Sequence, residues 1–380
     1  MEQKNTSKVT KRLVITFGAI VITAFFVVAF WQQITNYIFR PTESSIPVAT
    51  NEITERNIRT VASNITTPWA IAFLPSGDLL VTERSGQVQR IGSDGATYAI
   101  TGVRETSEGG LLGIALHPEF ESNRFVYLYS TTDTSGELTN RVERYVLEGT
   151  ELQGRTEILN NIPASSNHDG GALAFGPDDK LYVTTGDAGN EANAQERQSL
   201  AGKILRINGD GSIPSDNPFG NEVWSYGHRN PQGITWDKEG RMWATEHGPS
   251  GVQSGRDELN RIEKGANYGW PVITGDETRD GMRVPIVQSG DSDTWAPGGL
   301  AYADGSLYFT GLRGQSLYQA VIDNGGSVSL SRHFTGQYGR LRAVAVSGDE
   351  LYFSTSNRDG RGSPAEQDDR IFAVTLSVFE

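Results

Sequence analysis

Histidine is scarce in this chain, five residues in 380, and one of the five is placed to take a proton. His168 lies between Asn167 and Asp169 and is followed by Gly170 and Gly171, whose missing side chains let a ligand approach the backbone. An imidazole neutral near pH 7 suits abstraction of a proton from a hydroxyl, and a carboxylate on its other nitrogen would fix its tautomer. Asp187 is the candidate carboxylate. A second group is four arginines, Arg229, Arg313, Arg340 and Arg342. Arginine clamps carboxylates bidentately, so converging arginines point to a multiply anionic ligand; the competing reading pairs them with acids such as Glu246 and Asp359. A third group is oxygen-rich: the Gly248-Pro249 turn, the carboxylate of Glu258 and the carbonyl of Tyr268, a set that suits calcium.

These groups are far apart in sequence, so the fold must bring them together. Past residue 60 the chain repeats one phrase: an apolar alternation, a turn with Gly or Asp, and a second alternation ending in Thr or Ser. Copies start at Trp69 ("WAIAFLPSGDLLVTER"), Leu112, Gly171 ("GALAFGPDDKLYVTTGDAG"), Gln232, Gly298 and Arg342, at intervals of 43 to 66 residues. Each copy reads as a β-hairpin. Six hairpins at this spacing predict an all-β, six-bladed β-propeller across residues 57–380, in preference to a β-sandwich.

In such a hairpin the residues before the first strand and after the second share one end. If the first strands line the axis, those residues ring one mouth of the channel. The ring collects Glu108, His168, Arg229, Asn230, Thr294, Arg340 and Arg342 before first strands, and Asp187, His247-Gly248-Pro249 and Arg313 after second strands. His168 opens one hairpin and Asp187 closes it, so the two are expected to meet.

A net charge of −13 argues against nucleic acid as a partner, and the absence of cysteine excludes disulfides, thiol nucleophiles and cysteine-based metal sites. The N-terminus is different in kind. A basic tail, residues 1–12, precedes an uncharged apolar run from Leu13 to Trp31, long enough to span a bilayer. The basic flank is expected in the cytoplasm and the remainder outside the cell membrane. A cleaved signal peptide and a buried core helix are the other readings, and the lack of a polar stripe argues against the second. Residues 32–56, polar with two prolines at Pro41 and Pro47, read as a linker.

The motifs "EGGLLGIALHPEF", "YGHRNPQGITW", "EHGP…DELNRIEKGANYGWP" and "GRLRAVAV", in that order, resemble those of the soluble glucose dehydrogenase and aldose sugar dehydrogenase family. The resemblance covers roughly residues 57 to 375. It implies a six-bladed propeller that uses pyrroloquinoline quinone (PQQ) and Ca²⁺ to oxidise the C1 hydroxyl of an aldose, with a separate electron acceptor. Carried over position by position, His168 matches the general base and Asp187 its supporting carboxylate. Arg229, Asn230, Thr294, Arg340 and Arg342 match cofactor contacts. The carbonyls of Gly248 and Pro249 match ligands of a calcium that polarises the quinone, and Glu258 and Tyr268 match a structural calcium site. Glu108 stands where the glucose branch has glutamine, near cofactor and sugar, and Arg313 where it has lysine. The shorter chain fits the aldose branch, with a more open site. Two other readings compete: a propeller that binds a sugar or a protein without turnover, and a calcium-dependent lactonase, whose metal would need several side-chain carboxylates.

Overall fold

Period-two alternation puts one face of each strand inward, and glycine- or aspartate-bearing turns fold each strand back on its neighbour. In the computed structural model the repeated phrases form the inner half of six four-stranded antiparallel sheets. The residues described are 30, 31, 33–35, 37–49, 53, 57–249, 255–323 and 325–380. Blade one comprises Pro68–Phe73, Leu79–Glu83, Gln87–Ile91 and Ala96–Ala99. Blades two to five begin at Leu111–Leu116, Leu173–Phe175, Pro231–Trp236 and Pro297–Ala303. Blade six comprises Leu341–Ser347, Glu350–Thr355 and Ile371–Thr375, and its outermost strand is Ile58–Ala62, from before blade one. That pairing closes the ring, and successive first strands pack against each other all the way round. The expected six-bladed propeller is the architecture observed.

The threonine that ends each phrase has a structural reason. Thr82, Thr245 and Thr310 are fully buried on second strands. Each hydroxyl donates to a backbone carbonyl of the next blade: Thr82 to Leu112, Thr245 to Gly298 (2.9 Å) and Thr310 to Arg342 (2.6 Å). The polar end of an otherwise apolar strand is thus a clip between blades. Closure is fixed the same way. Asp369 accepts backbone N–H groups from Asn357 (2.6 Å) in blade six and from Thr67 (3.3 Å) at the start of blade one.

A second device acts at the mouth. In five blades the pairing of the first strand with the second shifts register near the first strand's start, between Pro68 and Ala70, Leu111 and Ile114, Pro231 and Gly233, Pro297 and Leu300, and Leu341 and Val344. A bulge re-aims the residue it contains. Trp69, Gln232 and Arg342 are such residues, and they meet: the Arg342 guanidinium donates to Gln232 Oε1 and lies 5.7 Å from the centre of the Trp69 ring.

The apolar run Leu13–Trp31 lies outside the described residues apart from Phe30 and Trp31. Among the described residues no helix is long and apolar enough to cross a membrane. Part of the stretch read as a linker is seated on the propeller: Ala49 N–H donates to Arg332 O and Arg332 N–H to Pro47 O, each at 2.9 Å.

Removing one clip should loosen two blades at once. Thr245→Val keeps the shape and leaves the Gly298 carbonyl without its donor, a loss of about 1–3 kcal/mol. A lower urea midpoint is expected; an unchanged one would mean the clips do not hold the blades.

Candidate active site

His168 and Asp187 flank the inner hairpin of blade three, whose strands pair Leu173 with Val183 and Phe175 with Leu181. Their Nδ1 and Oδ1 atoms lie 2.8 Å apart. The hairpin end is tight: a Cβ on Gly186 would fall 1.9 Å from the His168 carbonyl oxygen, so only glycine fits there. His168 itself has a left-handed backbone, φ 61°, an uncommon state for a non-glycine residue. Glu108 holds it, accepting the His168 N–H at 3.0 Å.

Asp187 is fully buried and well supplied with donors. Gly189 N–H reaches Oδ1 at 2.8 Å, and the Trp270 indole N–H reaches Oδ2 at 2.9 Å. Burial works to raise this carboxyl, but the hydrogen bonds from His168, Gly189 and Trp270 overcome it and hold it below the usual carboxylate range. An ionised Asp187 accepts a hydrogen bond from the His168 Nδ1–H, which leaves Nε2 as the basic nitrogen.

Beside the dyad is a cavity of about 460 Å³. Of the residues singled out in the sequence, Glu108, Gly248, Pro249, Thr294, Arg313, Arg340 and Arg342 line it. His168, Asp187, Arg229, Asn230, Glu258 and Tyr268 are not in its lining. Glu108 joins the two regions. Its Oε2 also receives Asn230 Nδ2 (3.4 Å), and its Oε1 receives Arg361 Nη1 (3.2 Å). Burial alone would raise the Glu108 carboxyl; the charge of Arg361, with the hydrogen bond from the His168 N–H, drives it down to about 2, so it is ionised. Arg229 packs its guanidinium 5.3 Å from the centre of the Trp270 ring, and Asn230 Oδ1 accepts Gly170 N–H at 3.0 Å. These two residues brace the dyad's surroundings.

The arginines differ. Arg340 is paired with Asp359, its Nε and Nη2 both reaching Oδ2 (2.9 and 2.8 Å), as the competing reading of the sequence had it. Arg313 donates to the Arg40 carbonyl. Arg342 is buried, lines the cavity, and forms no salt bridge with a carboxylate among the described residues. Burial pulls its guanidinium down to about 9; the charge of Asp359 works against this, and Arg340 and Arg84 push the same way as burial. Thr294 Oγ1, in the same cavity, is buried with no hydrogen-bond partner among the described residues. A buried cation and an unused hydroxyl on one wall fit a ligand bearing carboxylates.

Four residues of the site were given no role from the sequence. Gln232 touches Arg342, and Arg361 holds Glu108. His247 donates from Nε2 to Pro297 O (2.8 Å), and burial lowers it to about 3, so it presents a neutral Nδ1. Asp257 is the most connected: Oδ1 accepts Gly248 N–H (2.8 Å), and Oδ2 accepts Trp295 N–H (2.7 Å) and Ala296 N–H (2.8 Å). It therefore ties the Gly248-Pro249 turn of blade four to the entry of blade five. Gly248 is required by that closeness, since a Cβ would lie 2.2 Å from Gly255 O.

The Glu258 and Tyr268 pair is separate from the cavity. Glu258 faces Glu246 across two strands, and burial together with that charge raises it to about 8. Asn260, whose amide donates to Glu258 Oε2, keeps a buried Oδ1 with no partner among the described residues. Tyr268 stacks on His228, centroids 4.7 Å apart, and His228 Nδ1 lies 2.8 Å from Glu246 Oε2. A cation beside Glu258 would stabilise its ionised form, so the local chemistry fits an oxygen-bound metal. Among the described residues no group of three or more His, Asp or Glu side chains could hold a metal, so backbone and amide oxygens would have to contribute.

A family model for glucose/sorbosone dehydrogenase matches residues 65–363. The PQQ-bound aldose sugar dehydrogenase of Streptomyces coelicolor is 39% identical and superposes with a TM-score of 0.78 over 88% of this chain and 99% of that one. Quinoprotein glucose dehydrogenase B of Acinetobacter calcoaceticus is 34% identical over 57% of this chain and 52% of its own. The aldose sugar dehydrogenase of Escherichia coli is 33% identical over 60% of this chain and 65% of its own. The chain thus spans 52% and 65% of the lengths of these two curated relatives. With the family model matched across five blades and into the sixth, the chain belongs to the glucose/sorbosone dehydrogenase family.

Proposed function

We propose that the chain is a PQQ- and calcium-dependent aldose dehydrogenase that oxidises a sugar at its C1 hydroxyl to the lactone. The observation that carries this reading is the His168–Asp187 pair at 2.8 Å beside a cavity whose wall holds a buried guanidinium without a carboxylate. Arg340, Arg342, Arg313 and Thr294 would hold the carboxylates of the cofactor, and the carbonyls of Gly248 and Pro249 its calcium. Bound there, PQQ supplies a two-electron acceptor for hydride. Glu258 and the Tyr268 carbonyl would hold the second, structural calcium.

The chain's own part is proton transfer and positioning. His168 Nε2 accepts the C1 hydroxyl proton as hydride leaves C1. Asp187 holds the imidazole in the tautomer that makes this possible and stabilises the imidazolium that results. Trp270 keeps Asp187 in place, and Glu108 fixes the His168 backbone while presenting an ionised edge to the cavity. Asp257 sets the Gly248-Pro249 turn and the Trp295-Ala296 entry at one spacing. Turnover also needs an external electron acceptor. The apolar run would anchor the chain as a single span in the cell membrane, with the propeller on the extracytoplasmic side.

The test is reconstitution of the whole chain with PQQ and Ca²⁺, assayed on glucose and other aldoses with an artificial electron acceptor. Sugar-dependent reduction is expected, lost when calcium is chelated. His168→Gln should lower kcat by about 10²–10⁴ with PQQ affinity little changed. A variant as active as the parent would remove His168 from the reaction, and PQQ binding without turnover on any aldose would favour a binding protein.

The pH dependence of stability checks that Asp187 is ionised in the folded chain. Its folded value lies below the unfolded one, about 3.9, so its contribution is full above that pH and is lost as pH falls through the folded value. Asp187→Asn should therefore be less stable than the parent at pH 7, with the gap closing in acid. A gap that stays constant down to pH 2 would contradict the assignment.

A further inference from the structure

Residues 38–49 read as linker, yet they are held on the propeller at successive points that end inside the cavity. Residues 47 and 49 add to the edge strand Val328–His333 through Arg332, whose Nε also donates to Ile46 O at 2.9 Å. Thr42 follows: its hydroxyl donates to Asp293 Oδ1 (2.9 Å) and accepts the Thr294 N–H (2.8 Å). Arg40 offers its carbonyl to Arg313 Nε at 3.3 Å. Ile38 and Phe39 then line the cavity itself. The Phe39 ring centre lies 5.7 Å from Arg361 Cζ, and Arg361 in turn holds Glu108.

The segment therefore touches three residues of the cavity wall, Thr294, Arg313 and Arg361, each through a different contact. Thr42 alone satisfies the Thr294 N–H, so it sets the place of a residue whose own hydroxyl is left for a ligand. Phe39 brings an apolar face over charged groups. Such a cover excludes water, and exclusion of water strengthens the attraction between guanidinium groups and an anion beneath.

We infer that residues 38–42 are a wall of the ligand cavity, with Phe39 as its roof and Thr42 as the clasp, and that they retain the anionic ligand bound by the arginines. The inference rests on the cavity being the cofactor site, but the closure can be tested apart from that reading. The chain has no cysteine, so Ala296→Cys, in the cavity wall, gives a single reporter thiol. In the intact chain without added cofactor, the rate of modification by a bulky maleimide is measured with and without Phe39→Ala. The expected result is a rate at least tenfold faster without the Phe39 ring, restored by Phe39→Trp, with the denaturation midpoint unchanged. In the chain without the reporter cysteine, PQQ release measured by displacement should also quicken at least tenfold in Phe39→Ala and in Thr42→Val. A thiol rate indifferent to Phe39 would overturn the inference. A thiol rate that rises in a chain unable to bind PQQ would leave the roof standing and remove the cofactor assignment instead.

Discussion

Ring closure is the constraint on which the site depends. The strand Ile58–Ala62 is the outermost of blade six, so the chain returns to its start before the mouth is complete. The His168–Asp187 pair lies within blade three, but the contacts that set it among its neighbours cross between blades. Arg342 of blade six meets Gln232 of blade four, and Arg361 reaches Glu108 at the entry to blade two. Trp270 from blade four holds Asp187 of blade three, and Asp257 of blade four holds the entry of blade five. No single blade contains the site. The buried threonine clips and the Asp369 clasp fix the distances at which these side chains can act together.

On that frame the electrostatics are uneven by construction. The chain carries a net charge of −13, but the cavity is dominated by guanidinium groups. Arg340 is neutralised by Asp359, and Arg361 by Glu108. Arg342 has no such salt bridge among the described residues; its burial costs stability, which Gln232, the Trp69 ring and the charge of Asp359 offset in part and an anion at the wall would offset further. The same balance separates two roles. The Asp187 carboxylate is bonded to His168, and the Glu108 carboxylate to Arg361 and the His168 backbone. Asp359 and Glu108 act on Arg342 only through their charge, without a salt bridge to it.

Much of this was legible in the sequence because hairpins make local predictions. Period-two phrases ending in threonine gave six blades, and the ends of one phrase placed His168 against Asp187. The convergence of Thr294, Arg313, Arg340, Arg342, Gly248 and Pro249 followed from the same rule. Four features were not legible, each for a physical reason. The bulges that aim Trp69, Gln232 and Arg342 at one another are register shifts, which periodicity does not reveal. The ionisation of Glu108 depends on Arg361, 253 positions away. The seating of residues 38–49 depends on Arg332 and Thr294, whereas their own polar, proline-bearing composition reads as unstructured. Asp257 stood inside a quoted motif, directly before Glu258, and only its hydrogen bonds to two blades give it a role.

If Arg342 binds an anionic ligand, titrating PQQ, in the presence of Ca²⁺, into the intact chain and into Arg342→Met measures its share. Methionine removes the charge while filling most of the volume. The expected Kd is at least 100-fold weaker in the variant, about 2.7 kcal/mol, together with a denaturation midpoint equal to or above that of the parent. Equal affinity in the two proteins would remove Arg342 from the binding site.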